Sequence, residues 1–139
     1  MSNSIVHFEI PADDVDRAID FYKTIFGWEI EKMDMPEDSS TGGDPYYAVR
    51  TAPVDDKGLV KEPGSINGGL MKRKDPRQPF TNYINVKSID EILKQVVEKG
   101  GMVIVPKTEI AKGMGYIATF KDLENNILGL HEMGESEEK

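Results

Sequence analysis

Residues Ile5 to Ile10 alternate in the manner of a half-buried strand. The period then lengthens. Val15, Ala18, Ile19, Tyr22 and Phe26 fall at helical spacing and form one apolar stripe, with Asp13 or Asp14 placed to cap the first turn. Gly27 follows as a natural C′ residue, because glycine enters the left-handed region without steric cost. Further strands are predicted near Trp28–Lys32, Tyr46–Thr51 and Ile66–Lys72.

The rest of the chain repeats this order. A strand is predicted at Thr81–Val86, and Ser88-Ile89-Asp90-Glu91 reads as a capping box that opens a helix. The helix stripe is Ile89, Ile92, Leu93 and Val96, and it stops at Gly100-Gly101. Strands follow near Met102–Val105, Tyr116–Phe120 and Ile127–His131. With His7 set against Thr81, an offset of 74, the apolar positions of the two halves coincide over about twenty residues. Gly69-Leu70 then answers Gly129-Leu130 at an offset of 60, so the first copy carries about 14 more residues in its loops. The order is βαβββ, twice.

The segment from Lys72 to Pro79 holds two prolines and no apolar side chain of the core type, which marks a linker. Neither half, at about 70 residues with a single helix, covers its own sheet alone. The expectation is therefore one domain over 1–134, with module one at about 4–73, a joint at about 73–80 and module two at about 81–133. A flexible acidic tail is expected at 135–139. Two loops of the first copy, Asp34–Pro45 and Ala52–Ser65, have the length of functional or mobile segments.

Composition narrows the function classes. The 139 residues suit one compact domain, and 38% hydrophobic with 30% charged residues suits a globular one. A net charge of −8 argues against general affinity for nucleic acid. The absence of cysteine excludes disulfides, thiolate zinc sites and cysteine nucleophiles. No stretch approaches the roughly 20 apolar residues of a membrane span. Met1-Ser2-Asn3-Ser4 lacks the basic and apolar regions of a signal peptide, so a cytoplasmic address is expected.

Three motifs carry a resemblance. Asp13-Asp14-Val15-Asp16-Arg17-Ala18-Ile19-Asp20-Phe21-Tyr22, Ile25-Phe26-Gly27-Trp28 and Phe120-Lys121-Asp122-Leu123-Glu124-Asn125-Asn126 resemble the first helix, its end and the last turn of the vicinal-oxygen-chelate superfamily. That superfamily includes glyoxalase I, extradiol dioxygenases and the bleomycin- and fosfomycin-resistance proteins. Asn125 stands where the family usually has glycine, and Asn tolerates a positive φ. The resemblance covers about residues 5 to 133. His7-Phe8-Glu9-Ile10-Pro11-Ala12-Asp13-Asp14, Ile66-Asn67-Gly68-Gly69-Leu70-Met71 and Val105-Pro106-Lys107-Thr108 are similar to a branch labelled "predicted enzyme related to lactoylglutathione lyase". The fold implied is α+β, with two βαβββ modules forming a cupped, partly open mixed sheet, the glyoxalase/bleomycin-resistance fold.

Metal-dependent members of the superfamily hold a divalent ion with one ligand from each of four strands, and the ion acts as a Lewis acid. The motif alignment implies that these positions fall on His7, Gly69 (or Leu70), Thr81 and Gly129. Only His7 is a good ligand there, and a catalytic site needs about three. No cofactor and no divalent metal are therefore expected. A displaced site is the alternative. Glu9 shares a strand face with His7, and His131 with Gly129, which offers three groups to bind a metal or serve as an acid–base set. The plainer expectation is that Glu9 and His131 hydrogen-bond inside a polar cavity or lie near its rim.

Trp28, Tyr47, Tyr83, Tyr116 and Phe120 are candidates to line a pocket for a flat or apolar ligand, although aromatics in strands are usually core. Asn67, Met71 and Asn85 share faces with the lost ligand positions. Met114, between Gly113 and Gly115, marks either a loop over the cup or an ordinary turn. No nucleophile motif of the Gly-x-Ser-x-Gly kind is present. The preferred reading is a metal-independent binder of a small organic molecule. The alternatives are a glyoxalase-like lyase or isomerase using His7 and Glu9 or a rebuilt metal site, and a structural module without a ligand. The resemblance also implies a homodimer. No nucleic-acid or membrane partner is expected.

Overall fold

The alternating run near the start of the chain forms β1 (Ile5–Ala12), and the apolar stripe after it forms α1 (Val15–Phe26), in the computed structural model, which describes residues 3–57 and 60–133. The acidic tail expected at 135–139 lies outside the described residues. Of the two capping candidates, Asp14 takes the role, its carboxylate accepting from the Arg17 N–H at 3.1 Å. Gly27 closes the helix at φ 69°, with its N–H on the Lys23 carbonyl. Strands β2 (Glu29–Met33), β3 (Tyr46–Arg50) and β4 (Gly68–Lys72) complete the first module.

The second module repeats the order with β5 (Thr81–Asn85), α2 (Ile89–Glu98), β6 (Met102–Glu109), β7 (Tyr116–Lys121) and β8 (Ile127–Glu132). Ser88 caps α2 by accepting from the Glu91 N–H at 3.2 Å. Asn125 adopts φ 67° in the turn before β8. Strand β6 runs further than the pattern predicts, through Pro106 to Glu109. It lies at the edge of the sheet, and its register with β7 shifts around Pro106, where a missing N–H costs no ladder bond.

All eight strands form one sheet in the order β2-β3-β4-β1-β5-β8-β7-β6. Pairing is parallel between β1 and β4 and between β5 and β8, and antiparallel elsewhere. The antiparallel pair β1–β5 joins the modules, so the order is the same read outward from that seam on either side. Side chains alternate between the two faces of a strand. On one face Phe8, Ile10, Ala12, Val49 and Leu70 pack under α1, and Val86, Ala118 and Leu130 pack with Ile89 under α2. Leu70, Val49, Ile89 and Leu130 are fully enclosed. No helix among the described residues is long and apolar enough to cross a membrane. The helices leave the opposite face of the sheet for the site.

Candidate functional site

A cavity of about 360 Å³ opens on the face away from the helices. Its apolar lining comes from Met33 at the end of β2, from Met35, and from Ile110, Met114 and Ile117 of the second module. Two loops meet across the cup, one from each module. The Ser40 N–H donates to the Ile110 carbonyl at 2.9 Å and ties them together. Met114 lines the cavity, flanked by Gly113 at φ 79° and Gly115 at φ 90°. Those angles are ones that glycine adopts without steric cost.

The polar part is built on β1. His7 and Glu9 are two apart and so share the cavity face. The Tyr46 hydroxyl donates to Glu9 Oε2 at 3.1 Å, and the Tyr83 hydroxyl donates to Glu9 Oε1 at 3.1 Å. His7 Nε2 lies 2.7 Å from the same Tyr46 hydroxyl. A tyrosine hydroxyl carries one proton. With that proton directed at Glu9, His7 must donate from Nε2; with Glu9 protonated, the chain can run the other way. Glu9, Tyr46 and His7 thus form a continuous hydrogen-bonded path.

Burial sets the charge states of this cluster. It holds the His7 imidazole down at about 4, and nearby His131 adds to the effect. It pushes the Glu9 carboxyl up from its ordinary 4.5, against the two tyrosine hydrogen bonds that favour the carboxylate. Both tyrosine hydroxyls are pushed upward as well, first by burial and then by the charge of Glu9, and remain donors at any physiological pH.

The tyrosines also explain two glycines. A Cβ built on Gly69 would lie 1.8 Å from the Tyr46 hydroxyl oxygen. One built on Gly129 would lie 2.3 Å from the Tyr83 ring. The rings therefore occupy the space into which side chains at those two positions would project. These are the strand positions that the family resemblance assigns to metal ligands. The third, Thr81, donates its hydroxyl to the Pro79 carbonyl at 3.0 Å. The fourth, His7, has its Nε2 engaged by Tyr46. The donor set does not fit a divalent ion, and no group of three His, Cys, Asp or Glu side chains among the described residues is arranged to hold one. The displaced cluster of His7, Glu9 and His131 lines one cavity without forming such a group.

The structure brings His7, Glu9, Tyr83 and His131 together around the cavity. Several expected pocket residues lie elsewhere. Trp28 and Tyr47 pack in the core beneath α1, and Tyr116 and Phe120 pack beneath α2, because they fall on the helix side of their strands. Asn67 is spent on the backbone, accepting from the Thr51 and Ala52 N–H groups at 2.8 and 3.1 Å. Met71 is buried with its sulfur near the Gln78 amide at 3.7 Å, and neither it nor Asn85 is part of the cavity lining. Tyr46, which joins His7 to Glu9, is the principal residue that sequence reasoning missed. The signal was the pair Tyr46-Tyr47. Adjacent strand residues must face opposite sides, and only the pairing of Ala48 with Gly69 shows which tyrosine faces the cup.

Comparison with known proteins agrees with this architecture. Residues 4–38 match a family model described as bleomycin resistance protein-like N-terminal. A glyoxylase-like domain-containing protein of Didymella fabae is 28% identical over 129 residues, covering 91% of each chain. A hypothetical protein from Bacillus halodurans has a similar structure, with a TM-score of 0.65, 18% identity and 100% of both chains covered. Methylmalonyl-CoA epimerase from Mycobacterium tuberculosis has a TM-score of 0.62 at 17% identity, covering 95% of this chain and 89% of its own. A Streptomyces coelicolor methylmalonyl-CoA epimerase variant, in complex with 2-nitronate-propionyl-CoA, has a TM-score of 0.65 at 15% identity, covering 99% and 100%. Sheet order and these structural neighbours show the glyoxalase/bleomycin-resistance fold, and residues 4–38 carry the match to the bleomycin-resistance-like family.

Proposed function

We propose that the protein binds a small organic molecule in the cup without the help of a metal ion. The observation that carries this reading is the filling of the Gly69 and Gly129 positions by the Tyr46 and Tyr83 rings, beside a cavity of about 360 Å³. The family's metal site is degenerate on this reading, and its remaining histidine works in a hydrogen-bonded cluster. The cavity falls at the small end of the range for ligand sites, and its mixture of apolar wall and few polar groups is typical of them. Elemental analysis with a thermal-shift ligand screen tests the proposal. Ligand-induced stabilisation should persist in a chelator and be lost in Ile117→Trp, which fills the cup. A stoichiometric divalent ion that disappears in His7→Ala would overturn it. The homodimer implied by the resemblance belongs to the same reading, and sedimentation equilibrium measures it.

The path from Glu9 through Tyr46 to His7 favours a second reading, a lyase or isomerase that moves a proton. Glu9 would take or give the proton at the ligand, since burial raises its proton affinity toward the range useful for acid–base work. Incorporation of solvent deuterium into a carbon of the ligand, abolished in Glu9→Gln, would establish this reading over simple binding.

A further inference from the structure

The polar part of the cavity is one-sided in charge. No lysine or arginine is among the described residues that line it, and among them Glu9 supplies the one carboxylate. None of the ion pairs among the described residues involves Glu9. Its two donors, Tyr46 and Tyr83, are neutral hydroxyls, one on each carboxylate oxygen. Each oxygen accordingly keeps a lone pair for a further donor. A carboxylate in such surroundings has no lysine or arginine as a counter-charge, and burial already drives it toward its protonated form. A ligand that brought the missing positive charge would stabilise the carboxylate. An anionic ligand would meet Glu9 with no lysine or arginine of the described lining to hold it, only the imidazoles of His7 and His131.

The surrounding groups suit the same partner. The His7 ring stands 6.3 Å from the Tyr46 ring and 5.7 Å from the Tyr83 ring, centroid to centroid, so aromatic surface borders the carboxylate. Met33, Met35 and Met114 add polarisable thioethers. Aromatic faces attract cations, and thioethers adapt to an apolar body of irregular shape. We propose that the cup selects an organic cation, a small amine whose ammonium group pairs with Glu9 and whose apolar body lies among the methionines. With the ammonium bound, both tyrosine protons remain directed at the ionised carboxylate, and His7 donates from Nε2 to Tyr46. This assignment of ligand class rests on the binding reading above.

Three probes of matched shape test it: phenethylamine, phenethyl alcohol and phenylacetate, each titrated into the unmodified full chain and followed by protein NMR shifts. The amine should bind tighter than the alcohol by about tenfold, the size of a hydrogen bond to a charged group. Phenylacetate should bind most weakly. In Glu9→Gln the amine should lose its advantage and bind like the alcohol. Amine binding no tighter than alcohol binding, or phenylacetate binding tightest, overturns the cation assignment and leaves the binding reading standing. Binding of none of the three overturns both. The ranking on the unmodified protein decides the matter even if Glu9→Gln fails to fold.

Discussion

The two modules are equivalent on the helix side of the sheet and unlike on the cavity side. Under the helices, Leu70 of β4 and Leu130 of β8 occupy matching places, and both are fully enclosed. On the other face the register pairs Ala48 with Gly69 in one module and Thr119 with Gly129 in the other. Matching positions then carry different chemistry: His7 against Thr81, Glu9 against Tyr83, Tyr46 against Ile117 and Met71 against His131. Each module has a glycine with a tyrosine ring over it, but the rings come from non-equivalent strands. Tyr46 reaches Gly69 from β3, and Tyr83 reaches Gly129 from β5. Both hydroxyls end on Glu9. Packing under a helix tolerates only apolar side chains of similar volume, so the repeat persists there. The cavity face has no such constraint, and the repeat diverges into one polar group assembled from both halves.

The largest effect tests the equivalence. Leu70→Ala and Leu130→Ala should each cost about 3 kcal/mol, within the range for buried leucines, and equally within error in chemical denaturation. Unequal costs would break the symmetry claimed for the helix face. The glycines should then behave differently from each other. Gly129→Ala places its Cβ against the base of the Tyr83 ring, 2.7 Å from Cγ, and should cost about 3 kcal/mol. Gly69→Ala meets the far end of Tyr46, which can swing aside, so about 1–2 kcal/mol is expected. Equal melting temperatures for the two variants would contradict the different anchoring of the rings.

Tyr46→Phe should cost about 1–2 kcal/mol, because it removes one donor from Glu9 and the partner of His7 together. Tyr83→Phe removes a single donor and should cost less. A reversed order would place the centre of the cluster in the second module.

The smallest effects are in the pH profile. The Glu9 carboxyl is raised in the fold, so the stability it contributes is fully present below its ordinary value of 4.5 and is lost as pH rises through its folded value. Glu9→Gln should therefore be more stable than the parent at neutral pH, with the gap closing in acid. His7 acts in the opposite sense. Its stabilising neutral form is present above 6.5, and its contribution is lost as pH falls toward about 4. His7→Gln should flatten that part of the profile. An unchanged profile in both variants would show that the cluster is solvated.

Much of the fold was legible along the chain. The stripes at Val15–Phe26 and Ile89–Val96 give both helices, and Asp14, Gly27 and Ser88 mark three of their ends. Periodicity and capping are local, so a sequence states them directly. The repeat at offset 74 likewise sets His7 and Glu9 against Thr81 and Tyr83. The pocket was legible only in part. Trp28, Tyr47, Tyr116 and Phe120 share residue type with Tyr46 and Tyr83, and composition cannot separate a ring that packs under a helix from one that faces a cup. That distinction depends on the parity of each strand, and a shift of one residue reverses it. The sequence by itself determined the repeated order of elements, their caps and the absence of a side chain at Gly69 and Gly129. Only the tertiary structure decided that Tyr46 and Tyr83 fill those gaps and converge on Glu9, because strands distant in sequence bring them there and a register fixes which face they share.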